Sequence, residues 1–113
     1  DIEAGVRYYG GILGHEIIRK TESAVGLRMP GSEAEIVIQN ERDYLEIDLS
    51  VESADAAARR IEDAGGKIIV PPFDIQIGRA VVVEDPWGNR MVLLDSSKGH
   101  LVTDADGIVT GVE

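Results

Sequence analysis

The chain contains a pattern that occurs twice, in residues 1–40 and again in residues 52–95. Each copy has a helix-like stretch, a glycine stop and then apolar, strand-like segments, although few residues are identical. The glycine stops, Gly14 and Gly65, align when the first copy is moved by 51 positions along the sequence. A pattern repeated in this way indicates two copies of one supersecondary unit, which restricts the fold to architectures built from paired modules.

Both helices of the repeat can be placed from their ends. The first is predicted to begin at an Asp1 cap and to end at Gly14, with apolar residues at helical spacing in between. The second is predicted to follow a Ser53 cap, to carry an alanine-rich apolar stripe and to end at Gly65-Gly66.

Short apolar stretches after each helix are typical of strands. They are predicted at about 15–22, 24–30 and 33–39 in the first copy, and at about 67–70, 79–84 and 90–95 in the second. Residues 85–89 contain both Pro and Gly and are predicted to form the hairpin turn between the last two strands.

Residues 44–51 alternate between apolar and polar side chains, which predicts a strand between the two copies. Its apolar face, predicted to pack on a helix, consists of Leu45, Ile47, Leu49 and Val51, and its polar face of Tyr44, Glu46, Asp48 and Ser50. The second copy then has the order strand, helix, three strands. By the same pattern the first copy would open with a strand before Asp1. We therefore expect that residues precede Asp1 in the full protein, with a first module that lacks this strand as the alternative.

Composition limits the classes of function. A chain of 113 residues forms one domain with a real core, and no apolar run approaches the roughly 20 residues of a membrane span. The absence of cysteine excludes disulfides and thiolate chemistry, and a cytoplasmic location is expected. The net charge of −10 disfavours nucleic acid as a partner and is compatible with a cationic small ligand.

Several motifs occur in the order that one known superfamily shows. Tyr8-Tyr9 and Leu13-Gly14-His15 are similar to the end of its first helix, residues 53–66 to its second helix, and Gly78-Arg79 with residues 85–89 to its last hairpin. On these motifs the chain resembles the vicinal oxygen chelate superfamily, which includes glyoxalase I, bleomycin-resistance proteins and extradiol dioxygenases.

The resemblance implies an α+β fold in which paired βαβββ modules form a mixed sheet curled into a cup, and it implies a homodimer. We therefore expect one glyoxalase-like domain over residues 1–113, with module one at 1–40, module two at 44–95 and a C-terminal hairpin tail at 96–113. The first strand of module one would be absent from this sequence.

The strand faces that would line such a cup are predicted to bind the ligand, with carboxylates on one half and apolar side chains on the other. The candidates are Glu35, Val37, Gln39, Glu46, Asp48 and Val92. Trp87, in the hairpin turn, is a candidate for stacking on the ligand, with a structural role as the favoured alternative. No spacing of Ser, His and acidic residues indicates a catalytic residue.

Metal-dependent members of the superfamily take His, Gln or Glu ligands from the opening and closing strands of each module. By motif, three of these positions fall on Glu35, Glu46 and Val92, and the fourth would precede Asp1. Valine cannot bind a metal, so Glu35 and Glu46 are weak ligand candidates for a divalent ion such as Zn, Ni, Fe or Mn.

Two main functions stay open. The first is a metal-free small-molecule-binding protein similar to the bleomycin-resistance branch, which Val92 and the carboxylates favour. The alternative is a divalent-metal-dependent lyase, isomerase or dioxygenase acting on a substrate with vicinal oxygens. A domain kept only for dimerisation is a third interpretation.

Overall fold

The computed structural model describes all 113 residues, Asp1–Glu113. By their contacts these residues form two compact units, of which the first comprises Asp1–Tyr44 and Val102–Gly111. The second comprises Leu45–Leu101 and Val112–Glu113. The chain combines few helices with antiparallel and mixed sheets, so the prediction of an α+β fold is confirmed.

In the first unit a helical segment precedes three antiparallel strands. Helix α1, Ile2–Val6, continues into a π-helical turn, Arg7–Ile12. The strands are β1, Ile17–Lys20, β2, Ala24–Arg28, and β3, Glu35–Gln39, in the sheet order β1-β2-β3.

The predicted first helix forms, but its second half winds more widely than an α-helix. Asp1 caps it, because its carboxylate accepts a hydrogen bond from the Ala4 N–H at 3.2 Å. The Leu13 N–H donates to the carbonyl of Tyr8, five residues earlier, at 2.9 Å, which is π-helical spacing. Gly14 then ends the helix with φ of +80°, a conformation that glycine adopts readily.

Helix α1 packs against one face of the first sheet. An added Cβ at Gly5 would lie 2.9 Å from the side chain of Ile38 in β3, so the absence of a side chain at Gly5 permits this close contact. Val25 and Leu27 of β2 are buried. Because side chains alternate along a strand, the residues between these positions point to the opposite face.

The second unit has the order strand, helix, three strands. Strand β4, Asp48–Ser50, and helix α2, Ala54–Asp63, are followed by β5, Lys67–Asp74, β6, Arg79–Glu84, and β7, Arg90–Leu94. The sheet order is β4-β7-β6-β5, in which β4 runs parallel to β7 and the other pairs are antiparallel.

Helix α2 forms as the sequence predicts and supplies the core of the second unit. The Ser53 hydroxyl accepts a hydrogen bond from the Ala56 N–H at 3.1 Å, which confirms the predicted cap. The buried core consists of Ala54, Ala58, Val81, Val83 and Leu93.

No helix of the chain combines the length and the apolar character that a membrane crossing requires.

The strand predicted at 44–51 is much shorter in the structure, where β4 covers only Asp48–Ser50. Its partner is β7, and Asp48 lies opposite Val92, so residues before Glu46 would extend past the first residue of β7 and find no partner. The prediction that the apolar face of this strand packs on a helix is confirmed for Val51, which packs against the core around α2, and is wrong for Leu45, Ile47 and Leu49. These three residues are 93, 56 and 45 % exposed.

Strand β5 is longer than the predicted 67–70 and runs through Pro71-Pro72 to Asp74. Proline lacks an N–H, but β5 is an edge strand, where a missing donor is tolerated. The pairing of β5 with β6 is irregular between Ile68 and Val70 and again between Val70 and Phe73. The first irregularity allows Ile68 to pack on the core while Val70 lies opposite Val82.

The tail forms the predicted hairpin, with β8 at Leu101–Thr103 and β9 at Val109–Val112. The Asp104 carboxylate makes its turn by accepting hydrogen bonds from the N–H groups of Asp106 and Ile108, at 2.9 and 3.0 Å. In the first unit, the Lys20 N–H donates to the Gly107 carbonyl at 2.6 Å, which joins this turn to β1.

The buried carboxylate of Asp95 holds three segments of the second unit together. One oxygen accepts a hydrogen bond from the Ala54 N–H, at 2.8 Å, at the start of α2. The other oxygen accepts from the N–H of Arg79 at 2.9 Å, and from the N–H and hydroxyl of Ser97 at 3.1 and 2.7 Å. A Cβ at Gly78 would lie only 2.3 Å from this second oxygen, so only glycine fits beside it.

These hydrogen bonds, led by that from Ala54, hold the pKa of Asp95 well below the ordinary value of about 3.9. The folded state therefore binds fewer protons than the unfolded state near this value. The stabilisation from Asp95 is complete above the unfolded pKa and is lost as the pH falls below it.

We predict that Asp95→Asn lowers the free energy of unfolding at neutral pH by about 2–3 kcal/mol, because an amide cannot accept all four hydrogen bonds. Urea unfolding at several pH values measures this. Aspartates titrate over roughly pH 5 to pH 2. In this range the free energy of unfolding of the wild type should fall more steeply with falling pH than that of the variant. Parallel slopes would show that Asp95 does not carry the acid sensitivity.

Candidate functional site

The first sheet has an open face, opposite α1, that includes Ala24, Gly26, Glu35 and Val37. Gly26 lies opposite Val37 of β3 and opposite Arg19 of β1, so these three residues form one row across the sheet. Val37 is 46 % exposed. The predicted assignment of Glu35 and Val37 to the face away from the helix agrees with the alternation along β3.

Arg19 reaches across this open face to Glu35. Its guanidinium lies over Gly26, since an added Cβ there would be 3.0–3.3 Å from the guanidinium carbon and its two terminal nitrogens. One terminal nitrogen donates to the Glu35 carboxylate at 2.6 Å. The strand pattern predicts Glu35 as a site residue but not its cationic partner, although a glycine inside a strand is a signal of such close approach.

Gln39, also a predicted ligand contact, has its amide engaged in a turn. Its side-chain oxygen accepts hydrogen bonds from the N–H groups of Glu41 and Arg42, both at 2.7 Å. Its side-chain nitrogen donates to the Arg42 carbonyl at 3.1 Å. The structure therefore shows that this amide shapes the chain after β3.

The second sheet has its own open face, opposite α2, on which Asp48, Val92, Val82 and Val70 lie side by side across all four strands. We call Val70, Val82 and Val92 the valine row. The neighbouring residues along β6, Val81 and Val83, are buried in the core, so alternation places Val82 on the open face. The structure thus puts two predicted site residues, Asp48 and Val92, directly beside each other.

The two remaining candidates lie outside the strands. Glu46 precedes β4 and is half-buried. Trp87 is at the tip of the β6–β7 hairpin and is 83 % exposed. Asp85 holds this turn, accepting hydrogen bonds from the N–H groups of Trp87 and Asn89 and from the Asn89 side chain, all at 2.9 Å. The bonds from Asn89 lower the pKa of Asp85.

The residues at the positions implied for a metal do not fit one. Glu35 is ion-paired with Arg19, whose positive charge opposes a divalent ion at the same carboxylate. Val92 has no donor atom in its side chain. No group of three or more His, Asp or Glu side chains in the chain is arranged to hold a metal.

Comparison with known proteins agrees with this fold. The family model of the Glyoxalase/Bleomycin resistance protein/Dioxygenase superfamily matches residues 1–93. The chain therefore belongs to this superfamily. Among curated proteins, no sequence matches the chain.

Solved structures with the same fold have low sequence identity to the chain. A protein described as an NAD-dependent benzaldehyde dehydrogenase from Legionella pneumophila has a TM-score of 0.69 at 18 % identity, covering 84 % of this chain and 90 % of that chain. A superfamily member from Vibrio splendidus 12B01 has a TM-score of 0.56 at 15 % identity, covering 84 % of this chain and 89 % of that chain. At such identities the likeness shows the fold alone.

We predict that Gln39→Ala lowers the free energy of unfolding by about 1–2 kcal/mol, because the turn after β3 loses three hydrogen bonds, two of them partly buried. Chemical denaturation measures the change. The matched control is Gln76→Ala at an exposed glutamine, where the change should stay within about 0.5 kcal/mol. Equal effects of the two substitutions would contradict a special role for Gln39.

Proposed function

We propose that this protein binds a small molecule without a catalytic metal, and that the open face of each sheet is a candidate surface for such a ligand. In this proposal both units are versions of one βαβββ module. The observation that carries it is the row of Asp48, Val92, Val82 and Val70 on the second sheet. Such a surface offers an apolar area with one carboxylate at its end, which is the usual chemistry of small-molecule sites.

The valine row supports binding through enclosure of apolar groups. Val70 is 42 % exposed, and Val82 and Val92 are partly exposed, so the sheet presents apolar area that a ligand can cover. Asp48 is exposed and forms no ion pair within the protein, and its carboxylate can accept hydrogen bonds from a polar ligand group. In the first unit, Val37 and Glu35 are the proposed contacts.

The absence of a metal in this proposal rests on two side chains at the positions that the superfamily implies. Val92 offers no ligand atom, and the charge of Glu35 is compensated by Arg19. The proposal therefore assigns no step to a metal and no catalytic role to any residue. The homodimer and the cytoplasmic location stay predictions.

A neutral aromatic probe tests whether the valine row binds ligands. We expect benzyl alcohol, added to ¹³C-methyl-labelled protein, to shift the methyl resonances of Val82 and Val92 in a saturable way. Val109, in the C-terminal hairpin, is the internal reference and should not shift. The variant Val82→Lys places a charge on the open face and should abolish the response at Val92. Equal shifts at Val109 would show that the probe binds without selectivity.

Elemental analysis separates the proposal from the metal-dependent alternative. Purified protein is expected to contain no stoichiometric divalent ion, and a chelator should leave the melting temperature and the benzyl alcohol response unchanged. The double variant Glu35→Ala, Glu46→Ala is the control, since it would lose any ion held by these carboxylates. One Zn, Ni, Fe or Mn per chain that disappears in this variant would overturn the proposal in favour of a metal-dependent lyase, isomerase or dioxygenase.

A further inference from the structure

The open face of the first sheet carries one guanidinium in a fixed place. Arg19 starts on β1, crosses β2 above Gly26 and meets Glu35 of β3 at 2.6 Å. Gly26 is buried beneath it and has no side chain that would lift it from the sheet. The guanidinium therefore lies against the backbone instead of extending into solvent.

We propose that Arg19 binds an anionic group of the ligand, specifically a carboxylate. This inference rests on the proposed function, since it names the chemical class of the ligand that the protein would bind. It differs from the preference for a cationic ligand that the acidic composition suggests. Glu35 in this proposal holds one N–H of Arg19 and leaves the remaining donors for the ligand.

The geometry of the ion pair favours an added anion over an added cation. A guanidinium has five N–H donors, and the hydrogen bond to Glu35 uses one of them. The Arg19 side chain remains 27 % exposed, so a carboxylate can approach its other donors without breaking the pair. A cation would instead compete with Arg19 for Glu35, whose side chain is 30 % exposed.

The surroundings of Arg19 also indicate the rest of the ligand. Val37 lies in the same row across the sheet and is 46 % exposed, so it offers apolar contact beside the guanidinium. A carboxylate attached to a small apolar body matches both features. We therefore infer that the ligand is a small apolar carboxylic acid or carries such a group.

A second arginine on this sheet provides a matched control. Arg28 of β2 donates to Glu16 at 3.2 Å, but its side chain is 57 % exposed. It lies at the end of β2, opposite Glu35 in the pairing, and no glycine holds it against the sheet. Its loss changes the net charge by the same amount as the loss of Arg19 and leaves the guanidinium above Gly26 in place.

The experiment compares benzoate with benzylammonium, two probes with the same ring and opposite charges. In ¹H–¹⁵N spectra, benzoate is expected to shift the Nε–H of Arg19 and the amide of Gly26, while benzylammonium leaves both unchanged. Arg19→Ala should raise the apparent Kd for benzoate roughly tenfold or more, as expected for the loss of a charge-assisted hydrogen bond. Arg28→Ala should leave that Kd within about twofold.

Gly26→Ala tests the position of the guanidinium separately from its charge. The new Cβ would displace the flexible end of Arg19, so benzoate should bind more weakly although every charge is kept. Three results would each overturn the inference: no benzoate shift at Arg19, an unchanged Kd in Arg19→Ala, or binding of benzylammonium at this place. The proposed function has a separate readout on the second sheet. It would be refuted if benzyl alcohol caused no shift at Val82 and Val92 of the unmodified protein, whatever benzoate does at Arg19.

Discussion

The buried carboxylate of Asp95 is the constraint on which the second unit depends. It joins the first N–H of α2 to the start of β6 and to the chain after β7, and the absence of a side chain at Gly78 makes room for it. Once α2 is fixed on Val81 and Val83, strand alternation decides that Val82 faces the other way. The open face of the second sheet therefore follows from how one helix is anchored.

Much of this architecture could be predicted because the relevant signals are local. Helix ends are set by residues that contact only their near neighbours in the sequence. Examples are the Ser53 hydroxyl, which caps α2, and the glycines that end both helices. The length of β4 could not be predicted in this way. Alternation over 44–51 describes the strand itself, whereas its extent depends on where β7, its distant partner, begins.

The candidate site shows the same division between local and distant information. Alternation assigned Glu35, Val37 and Val92 to the faces opposite the helices. It did not reveal Arg19, because an irregularity in the pairing of β1 with β2, between Ile17 and Arg19, breaks the two-residue period there. Gln39 illustrates a third case. Its position on β3 was predicted, but its amide satisfies the backbone of the adjacent turn.

The net charge of −10 gives little information about charge at the open faces. In the first unit, Glu35 of β3 is paired with Arg19, and Glu16, just before β1, is paired with Arg28. On the second sheet, Asp48 has no such partner and ends a row of valines. Because electrostatic interactions depend on separation, a ligand at either face would respond to these individual groups more than to the total charge. Recognition at the proposed surfaces would therefore depend on how the strands distribute a few charges, and little on the excess of acidic residues.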